Sequence, residues 1–309
     1  MPLDMEWAIG GNRRMSVKKD FLQEIPVFFR IMVGVVGNAL LYGYGRNNLA
    51  DKDAYTLNVY TGFLGVMATV LLLDAWYQHR ENMRDRMQQQ LQLLQEVNSP
   101  NNSTAIDAIH KMDQMGWLNG ANGLLTGQTF ADVNWENADL TFANLENLGL
   151  ASSRLAGANL TSANLNGVKM IRVNLEQANL TFASMENSRL TSVSFSRSDL
   201  IGTSLIDAKL REANFANAKC WGVRFQNADL ANANFRGANL DGAKLENAIL
   251  AGADLEGASL KMAELAGACL HTANLKHTVF DENTTLPNGE KWTTETDMTR
   301  FTNPESSDS

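Results

Sequence analysis

The residue types that most often perform chemistry in proteins are sparse in this chain of 309 residues. It has two cysteines, Cys220 and Cys269, and four histidines, at positions 79, 110, 271 and 277. Cys269 and His271 could supply two metal ligands, but a zinc site needs three or four. Two cysteines are also too few for a disulfide framework. The small number of these residues therefore predicts no catalytic, cofactor-binding or metal-binding residues, and we expect a protein that is not an enzyme.

Charge excludes a further class of function. The chain has 26 Lys plus Arg and 34 Asp plus Glu, which gives a formal net charge of −8. A general nucleic-acid binder usually carries a basic balance, so no nucleic-acid partner is expected. The length favours about two domains.

Two apolar stretches near the N-terminus predict a transmembrane hairpin. Ile25 to Gly45 contains only one charge, Arg30, and Tyr55 to Leu73 contains none. Trp76 and Tyr77 follow the second stretch, as interfacial aromatic residues would. The alternative is a pair of buried helices in a soluble domain, but no neighbouring amphipathic segments exist to cover them.

The flanking charges predict the topology of this hairpin. Lys and Arg number four before the first stretch, two in the connecting loop and three just after the second. The positive-inside rule then places both termini in the cytoplasm and makes residues 21–77 the contact with the lipid bilayer. The N-terminal tail before this hairpin, 1–20, lacks the apolar core of a secretory signal peptide.

A helical connector follows the second stretch. Residues 79–97 are rich in helix formers, and Met83, Met87, Leu94 and Val97 form a short, imperfect heptad seam. Self-association as a homo-oligomer and packing against the chain's own next segment both remain open. Thr104, with Asp107 three residues later, predicts the start of another helix.

A five-residue repeat dominates the second half of the chain. Every fifth residue from Phe130 to Phe280 is large and apolar, in 31 consecutive positions that comprise 21 Leu, 6 Phe, 2 Met, Trp135 and Cys220. Two residues before each of these the chain usually has Ala. We number each pentad from its large residue, so that the small residue occupies position −2 and the large residue position 0.

The period of five excludes two ordinary structures. In a helix each step of five residues turns about 140°, which would spread the large residues around the whole surface. In a flat strand an odd period would send successive large residues to opposite faces. The pattern instead predicts positions −2 and 0 inward, position −1 outward, and positions +1 and +2 at an outward corner, so that the chain coils around its own core.

Runs such as ANLTSANLNG (158 to 167), ADLANANFRGANLDGAKL (228 to 245) and AGADLEGASL (251 to 260) resemble the pentapeptide-repeat family. The resemblance implies a mainly β fold, a right-handed quadrilateral parallel β-helix with four pentads per coil. The 31 pentads would then make nearly eight coils, a rod about 37 Å long. The segments 105 to 125 and 280 to 293 resemble the flanks of membrane-anchored bacterial members, which implies a bacterial inner membrane or a thylakoid membrane.

These observations predict five regions. They are a cytoplasmic tail (1–20), a two-span hairpin with a juxtamembrane helix (21–97), a connector and N-terminal cap (98–125), the repeat β-helix (126–282), and a C-terminal cap with a flexible tail (283–309). Trp117 and Trp292 are the predicted lids over the two ends of the coil stack, where an open strand edge needs cover.

Stacking of each coil on the next would create three distinct surfaces. The first is a basic stripe of Lys169, Arg172, Arg189, Lys209 and Arg211, and the second is a mildly acidic face that includes Glu186 and Glu246. The third is an aromatic face with apolar groups at outward positions, namely Phe142, Phe182, Ile201, Trp221 and Met262. We predict that Phe142, Phe182 and Trp221 contact a partner. Lys169, Arg189, Lys209 and Arg211 are the second candidate, against a merely solubilising role.

The sequence favours a non-enzymatic, membrane-anchored scaffold that presents the repeat rod to a protein partner. A rival is a membrane-acting effector or regulator in which the rod is a sensor or assembly element. The best-known activity of the family, DNA mimicry against a type II topoisomerase, ranks third. Residues 126–282 carry 13 Lys plus Arg and 17 Asp plus Glu, a net charge of only −4, far from that of duplex DNA.

Overall fold

The computed structural model describes residues 52–121 and 123–303, with side chains from Tyr60 onward. The predicted first span, Ile25 to Gly45, lies outside the described residues. The chain divides into two compact units, Met1–Arg86 and Met87–Ser309. The predicted hairpin region, 21–97, extends past this boundary, and its residues Leu93 and Val97 are buried in the core of the second unit.

Helix α1 spans Lys52–Val97, a single element of 46 residues and about 69 Å. It contains the second predicted span and the predicted juxtamembrane helix without a break. Within the first unit its described side chains are largely exposed, including Phe63 at 62%, Leu71 at 63% and Leu72 at 70%.

Helix α2 spans Asn102–Gln114. Its N-cap is Asn101, whose side chain accepts a hydrogen bond from the backbone N–H of Ser103 at 3.0 Å. The prediction that the helix starts at Thr104 is therefore wrong, because Asn101 already satisfies the first free N–H groups. The helix buries Ala105, Ala108, Ile109 and Met112 against the coils.

The repeat region coils as a parallel β-helix. The strands β1 (Thr129–Ala131), β2 (Gly149–Ala151), β3 (Lys169–Ile171) and β4 (Arg189–Thr191) form one parallel sheet in the order β1-β2-β3-β4. Elsewhere single bridges join the residue at position −1 of one pentad to the residue at position −1 four pentads later. Examples are Asn134↔Arg154, Asp139↔Asn159 and Asn144↔Asn164. One coil is therefore four pentads long, with one bridged column on each of its four sides.

The four sides are named from their residues at position 0. Face A starts at Phe130, face B at Trp135, face C at Leu140 and face D at Leu145, and each continues once per coil. The predicted inward and outward positions are confirmed over most of the stack, with Ala158 and Leu160 buried and Asn159 between them half-buried. Position −1 is not always open, since Ser204 is only 6% exposed and donates to Glu186 Oε1 at 2.6 Å.

The corners explain the small and polar residues of the repeat. Every position +2 from Asp132 to His277 has a positive φ, a region that glycine and asparagine enter most easily. At several corners an Asn of one coil is followed by a Gly in the next coil. Asn137 extends over Gly157 of the next coil, where an added Cβ would collide with its Oδ1.

The core is a stack of the position 0 side chains. Phe195, Phe215 and Phe235 of face B lie parallel, with ring centroids 4.9 and 4.7 Å apart, and Phe225 meets Phe215 edge-on at 5.6 Å. Cys220 takes the same kind of position on face C and is fully buried. The apolar interior is thus continuous from coil to coil.

The N-terminal end of the stack is closed by helices. Trp135, at position 0 of the first coil, is fully buried, and its indole N–H donates to the carbonyl of Val97 at 2.8 Å. Ile109, Met112 and Leu118 complete the cover, and all three are essentially inaccessible. Trp117, the predicted lid, is only partly buried.

The C-terminal end continues one pentad beyond the predicted boundary. One inserted residue after Phe280 shifts the spacing, so that Glu264 bridges Thr285, and Leu286 is fully buried. The Thr284 hydroxyl donates to the Leu260 carbonyl at 2.9 Å. Beyond it the chain turns back through the antiparallel bridge Thr285↔Lys291, and helix α3 spans Thr299–Thr302. The predicted lid Trp292 stacks on Phe280 with ring centroids 6.1 Å apart.

Candidate interaction surfaces

The two cysteines have opposite environments. Burial, with the negative charge of Asp199 adding to it, raises the pKa of the Cys220 thiol far above its ordinary value, so that this thiol is unreactive at neutral pH. Cys269 is exposed. Among the described residues no group of three or more His, Cys, Asp or Glu side chains could hold a metal ion.

Three residues of the basic stripe form a column on face A. Lys169 is the register partner of Arg189, and Arg189 is the partner of Lys209, all at position −1 of consecutive coils. All three side chains are exposed. Consecutive residues in the column lie one strand spacing apart, about 4.8 Å. We call these three residues the basic ladder.

The other members of the basic stripe do not extend this column. Arg211 stands at position +1 and forms an ion pair with Asp229, with Nε and Oδ2 3.0 Å apart. Arg172 stands at the position +2 corner, with a φ of 53°. The structure thus brings together Lys169, Arg189 and Lys209 and assigns Arg211 to a separate contact.

The predicted aromatic face lies on face C and its corner. Phe142 and Phe182 are each 65% exposed, Trp221 is 53% exposed and Met262 is 47% exposed. Phe142 and Phe182 stand at position +2 with φ values of 59° and 58°. A bulky side chain in this region is strained. These rings therefore combine backbone strain with exposure to solvent.

Phe182 has a structural role that the sequence analysis did not recognise. An added Cβ on Gly202 would lie 2.7 Å from the ring atoms Cδ1 and Cε1 of Phe182, so the ring covers this glycine of the next coil. The backbone N–H of Phe182 donates to the carbonyl of Ile201, and the backbone N–H of Gly202 donates to the carbonyl of Trp221. Phe182, Ile201 and Trp221 thus form one continuous patch, while Phe142 stands two coils from Phe182.

The acidic face contains two buried acceptor atoms that no simple sequence pattern indicates. Gln226 Oε1 and Glu246 Oε2, at position +1 of adjacent coils on face D, are inaccessible and have no hydrogen-bond donor among the described residues. Burial, with Glu264 adding to it, raises the pKa of the Glu246 carboxyl above its ordinary value.

The remaining surface is the apolar part of helix α1. Among the described residues one helical stretch, Tyr60–Val97, is long and apolar enough to cross a membrane. It contains an 18-residue window with a mean hydropathy of 1.3, and none of that window is buried in protein. Core helices of soluble proteins also pass such a test of length and composition, but they are mostly buried.

Comparison with protein families finds a match to the family described as pentapeptide repeats. Eight copies of the repeat match, over residues 150–177, 169–207, 208–247 and 238–276. The matched segments lie within the coils. A comparison with curated protein sequences finds no match.

Comparison with solved structures finds similar chains. QnrB1, described as a plasmid-mediated fluoroquinolone resistance protein, is 18% identical, with a TM-score of 0.41; the match covers 51% of this chain and 84% of QnrB1. HetL from the cyanobacterium Nostoc, described as involved in heterocyst differentiation regulation, is 23% identical, with a TM-score of 0.33 and coverage of 60% and 98%. A pentapeptide repeat protein from the cyanobacterium Cyanothece is 30% identical, with a TM-score of 0.16 and coverage of 41% and 90%.

Proposed function

The chain belongs to the pentapeptide-repeat family, whose right-handed β-helix has no catalytic role in general, and we propose that it is a membrane-anchored scaffold that presents its coils to a protein partner. The anchor is residues 21–77, and the coils are on the cytoplasmic side of a bacterial inner or thylakoid membrane. The partner is a protein and not a nucleic acid, since residues 126–282 have a net charge of −4.

The exposure of helix α1 is the observation that carries this proposal. Tyr60, Phe63, Leu64, Leu71 and Leu72 are between 62% and 70% exposed in the described structure. Each leucine-sized side chain left in water forfeits about 2 kcal/mol of the free energy that burial would supply. A bilayer is the apolar environment that a single helix of this length and composition fits.

The second support is that the fold does not need the exposed rings of Phe142 and Trp221. Most corners have Asn or Gly at position +2, the position of Phe142. On face C, residues 141, 161 and 181 are Thr at position +1, the position of Trp221. Phe142 and Trp221 therefore replace residues that would suit the fold as well or better. Exposed aromatic groups are typical anchors of protein interfaces.

The anchor and its topology can be tested with Cys269 as the reporter. We expect alkaline carbonate to leave the chain in the membrane pellet. A membrane-impermeant maleimide should label Cys269 in inverted vesicles and not in intact spheroplasts, while buried Cys220 stays unlabelled. Cys269→Ser is the control for background. Extraction by carbonate would contradict the anchor, and labelling from the outer side would contradict the topology.

The aromatic contact can be tested with residues that the repeat already uses at the same positions of the pentad, Asn at position +2 and Thr at position +1. The variant combines Phe142→Asn, Phe182→Asn and Trp221→Thr. We expect it to keep the melting temperature of the wild type and to lose the protein that crosslinks to the wild-type coils in native membranes. A control with Phe142→Asn alone should retain that protein. Unchanged crosslinking by the triple variant would rule out the aromatic face.

A further inference from the structure

The basic ladder brings together, in one column, three cations that have no ion-pair partner within the described coils. Most other cations of the coils have a carboxylate partner, usually about one coil away. These pairs are Arg154–Glu136 at 3.1 Å, Arg197–Glu176 at 3.7 Å, Arg211–Asp229 at 3.0 Å, Lys219–Asp199 at 3.3 Å, Arg224–Glu186 at 4.0 Å and Arg236–Glu256 at 2.8 Å. Within the described coils, Lys169, Arg189 and Lys209 have no such partner.

The ladder is also the longest run of like charge on the coils. No other column of outward positions between residues 127 and 286 has the same sign of charge in three consecutive coils. Like charges directly opposite each other on neighbouring strands destabilise a sheet. The column ends at Asp229, the register partner of Lys209.

The two carboxylates of face A that stand beside the ladder make other contacts. Asp229 is the partner of Arg211. Glu212 accepts a hydrogen bond from the Ser192 hydroxyl at 3.3 Å. The ladder is therefore a straight array of three exposed cations on a rigid backbone, and the fold does not supply its counter-charge.

We propose that the basic ladder binds an acidic α-helix of a protein partner, laid along the axis of the coils. This inference rests on the proposed function as a protein-binding scaffold. Two steps of the ladder span about 9.6 Å. Two turns of an α-helix span about 10.8 Å, so carboxylates at every third or fourth residue come into line with Lys169, Arg189 and Lys209.

Other anionic partners fit less well. In an extended strand, alternate side chains are about 6.7 Å apart. Two such steps are longer than the whole ladder by nearly one spacing between coils. A nucleic acid or an anionic bilayer presents a wide field of negative charge, which the net charge of −4 on residues 126–282 opposes. A single helix is narrow enough to meet face A alone.

The test uses the full chain in nanodiscs of neutral phosphatidylcholine. The probes are two fluorescein-labelled, alanine-rich helical peptides of identical composition. One has its glutamates on a single helical face, and the other has them spread around the helix. We expect fluorescence anisotropy to give at least tenfold tighter binding of the one-faced peptide, with an affinity that falls as salt is added.

The decisive variant is Lys169→Gln, Arg189→Gln and Lys209→Gln together, with Lys244→Gln, Lys261→Gln and Lys276→Gln as the control that removes the same charge from other faces. We expect the ladder variant to bind the one-faced peptide at least tenfold more weakly and the control less than twofold more weakly. The ladder variant should melt at the same or a higher temperature, because repulsion is removed. Lys169→Gln alone should weaken binding about threefold.

Four results would overturn the proposal. They are no binding by the wild type, equal binding of the two peptides, equal weakening by the two triple variants, and a lower melting temperature of the ladder variant. Tighter, ladder-dependent binding of single-stranded DNA or of phosphatidylserine vesicles would also overturn it in favour of those partners. Carbonate extraction of the chain would contradict the anchor and leave the peptide result standing, so the two failures are distinguishable.

Discussion

Helix α1 and the coil stack are both rich in large apolar residues. The coils bury these residues, whereas the part of α1 in the first unit exposes them. In the coils Leu240 is fully buried, and in the first unit Leu72 of α1 is 70% exposed. The coils bury their apolar residues against the coils above and below, so their stability is internal to the chain. In the first unit the described apolar side chains of α1 are largely exposed, and this exposure is why we propose a bilayer around them.

The same substitution placed in each region tests this difference. Leu240→Asp puts a carboxylate into the apolar stack, and we expect a loss of several kcal/mol and an unfolded repeat region. The control is Asn239→Asp, one residue earlier, at an exposed position whose Oδ1 accepts the N–H of Asp241 at 2.9 Å. Its carboxylate preserves this acceptor, so thermal unfolding should be nearly unchanged. Equal tolerance of the two variants would contradict the assignment of the core.

The matching change in the helix is Leu72→Asp. It should make membrane insertion less favourable by about 3 kcal/mol and leave the melting of the coils unchanged. The measurement is the side from which Cys269 is labelled, which should become mixed, with Leu72→Ala as the one-sided control. If Leu72→Asp instead destabilises the coils as Leu240→Asp does, the helix belongs to a protein core.

A smaller effect is expected where the connector meets the stack. Trp135→Phe removes the indole N–H and leaves the Val97 carbonyl without its donor, which should cost about 1–3 kcal/mol. Hydrogen exchange should become faster in the last turn of α1 and in α2. Trp117→Phe, at the partly buried predicted lid, should change little. Similar losses from both variants would show that the hydrogen bond is not the source of the stability.

The smallest effect concerns Glu246, a half-buried carboxyl group with one inaccessible oxygen. Its pKa is raised in the folded state, so ionisation opposes folding, and this cost appears as pH rises through the folded pKa and is absent below about pH 4. Glu246→Gln should therefore stabilise the coils by up to about 1 kcal/mol at pH 7 and have no effect at acid pH. The exposed Glu295→Gln is the control. A gain that does not vary with pH would contradict the raised pKa.

Much of the fold is local information, which is why the sequence predicts it. The inward and outward positions of each pentad follow from side-chain alternation along a short extended segment. The predicted corners occur where Asn, Gly and Ser allow a positive φ. The coil length of four pentads did not come from the spacing itself, since a period of five does not say how many pentads close a turn. It came from the family resemblance, and the bridges between residues four pentads apart confirm it.

Both ends of the stack depend on contacts that spacing does not encode. Val97 and Trp135 are far apart in the sequence, and only the folded arrangement brings that carbonyl to the indole. The final pentad at Leu286 was missed because one inserted residue after Phe280 breaks the count of five, while backbone pairing between coils tolerates it. Asn101 likewise caps helix α2 three residues before the predicted start at Thr104.

The candidate surfaces were also determined in part by the sequence and in part by the tertiary structure. The sequence by itself determined that Phe142, Phe182 and Trp221 point outward and that Lys169, Arg189 and Lys209 share one face, because both follow from counting in fives and twenties. Only the tertiary structure decided which charges neutralise each other and which rings cover a neighbour. Arg211 bonds to Asp229 and Phe182 covers Gly202 because side chains reach across coils, at distances set by the stacking of the backbone.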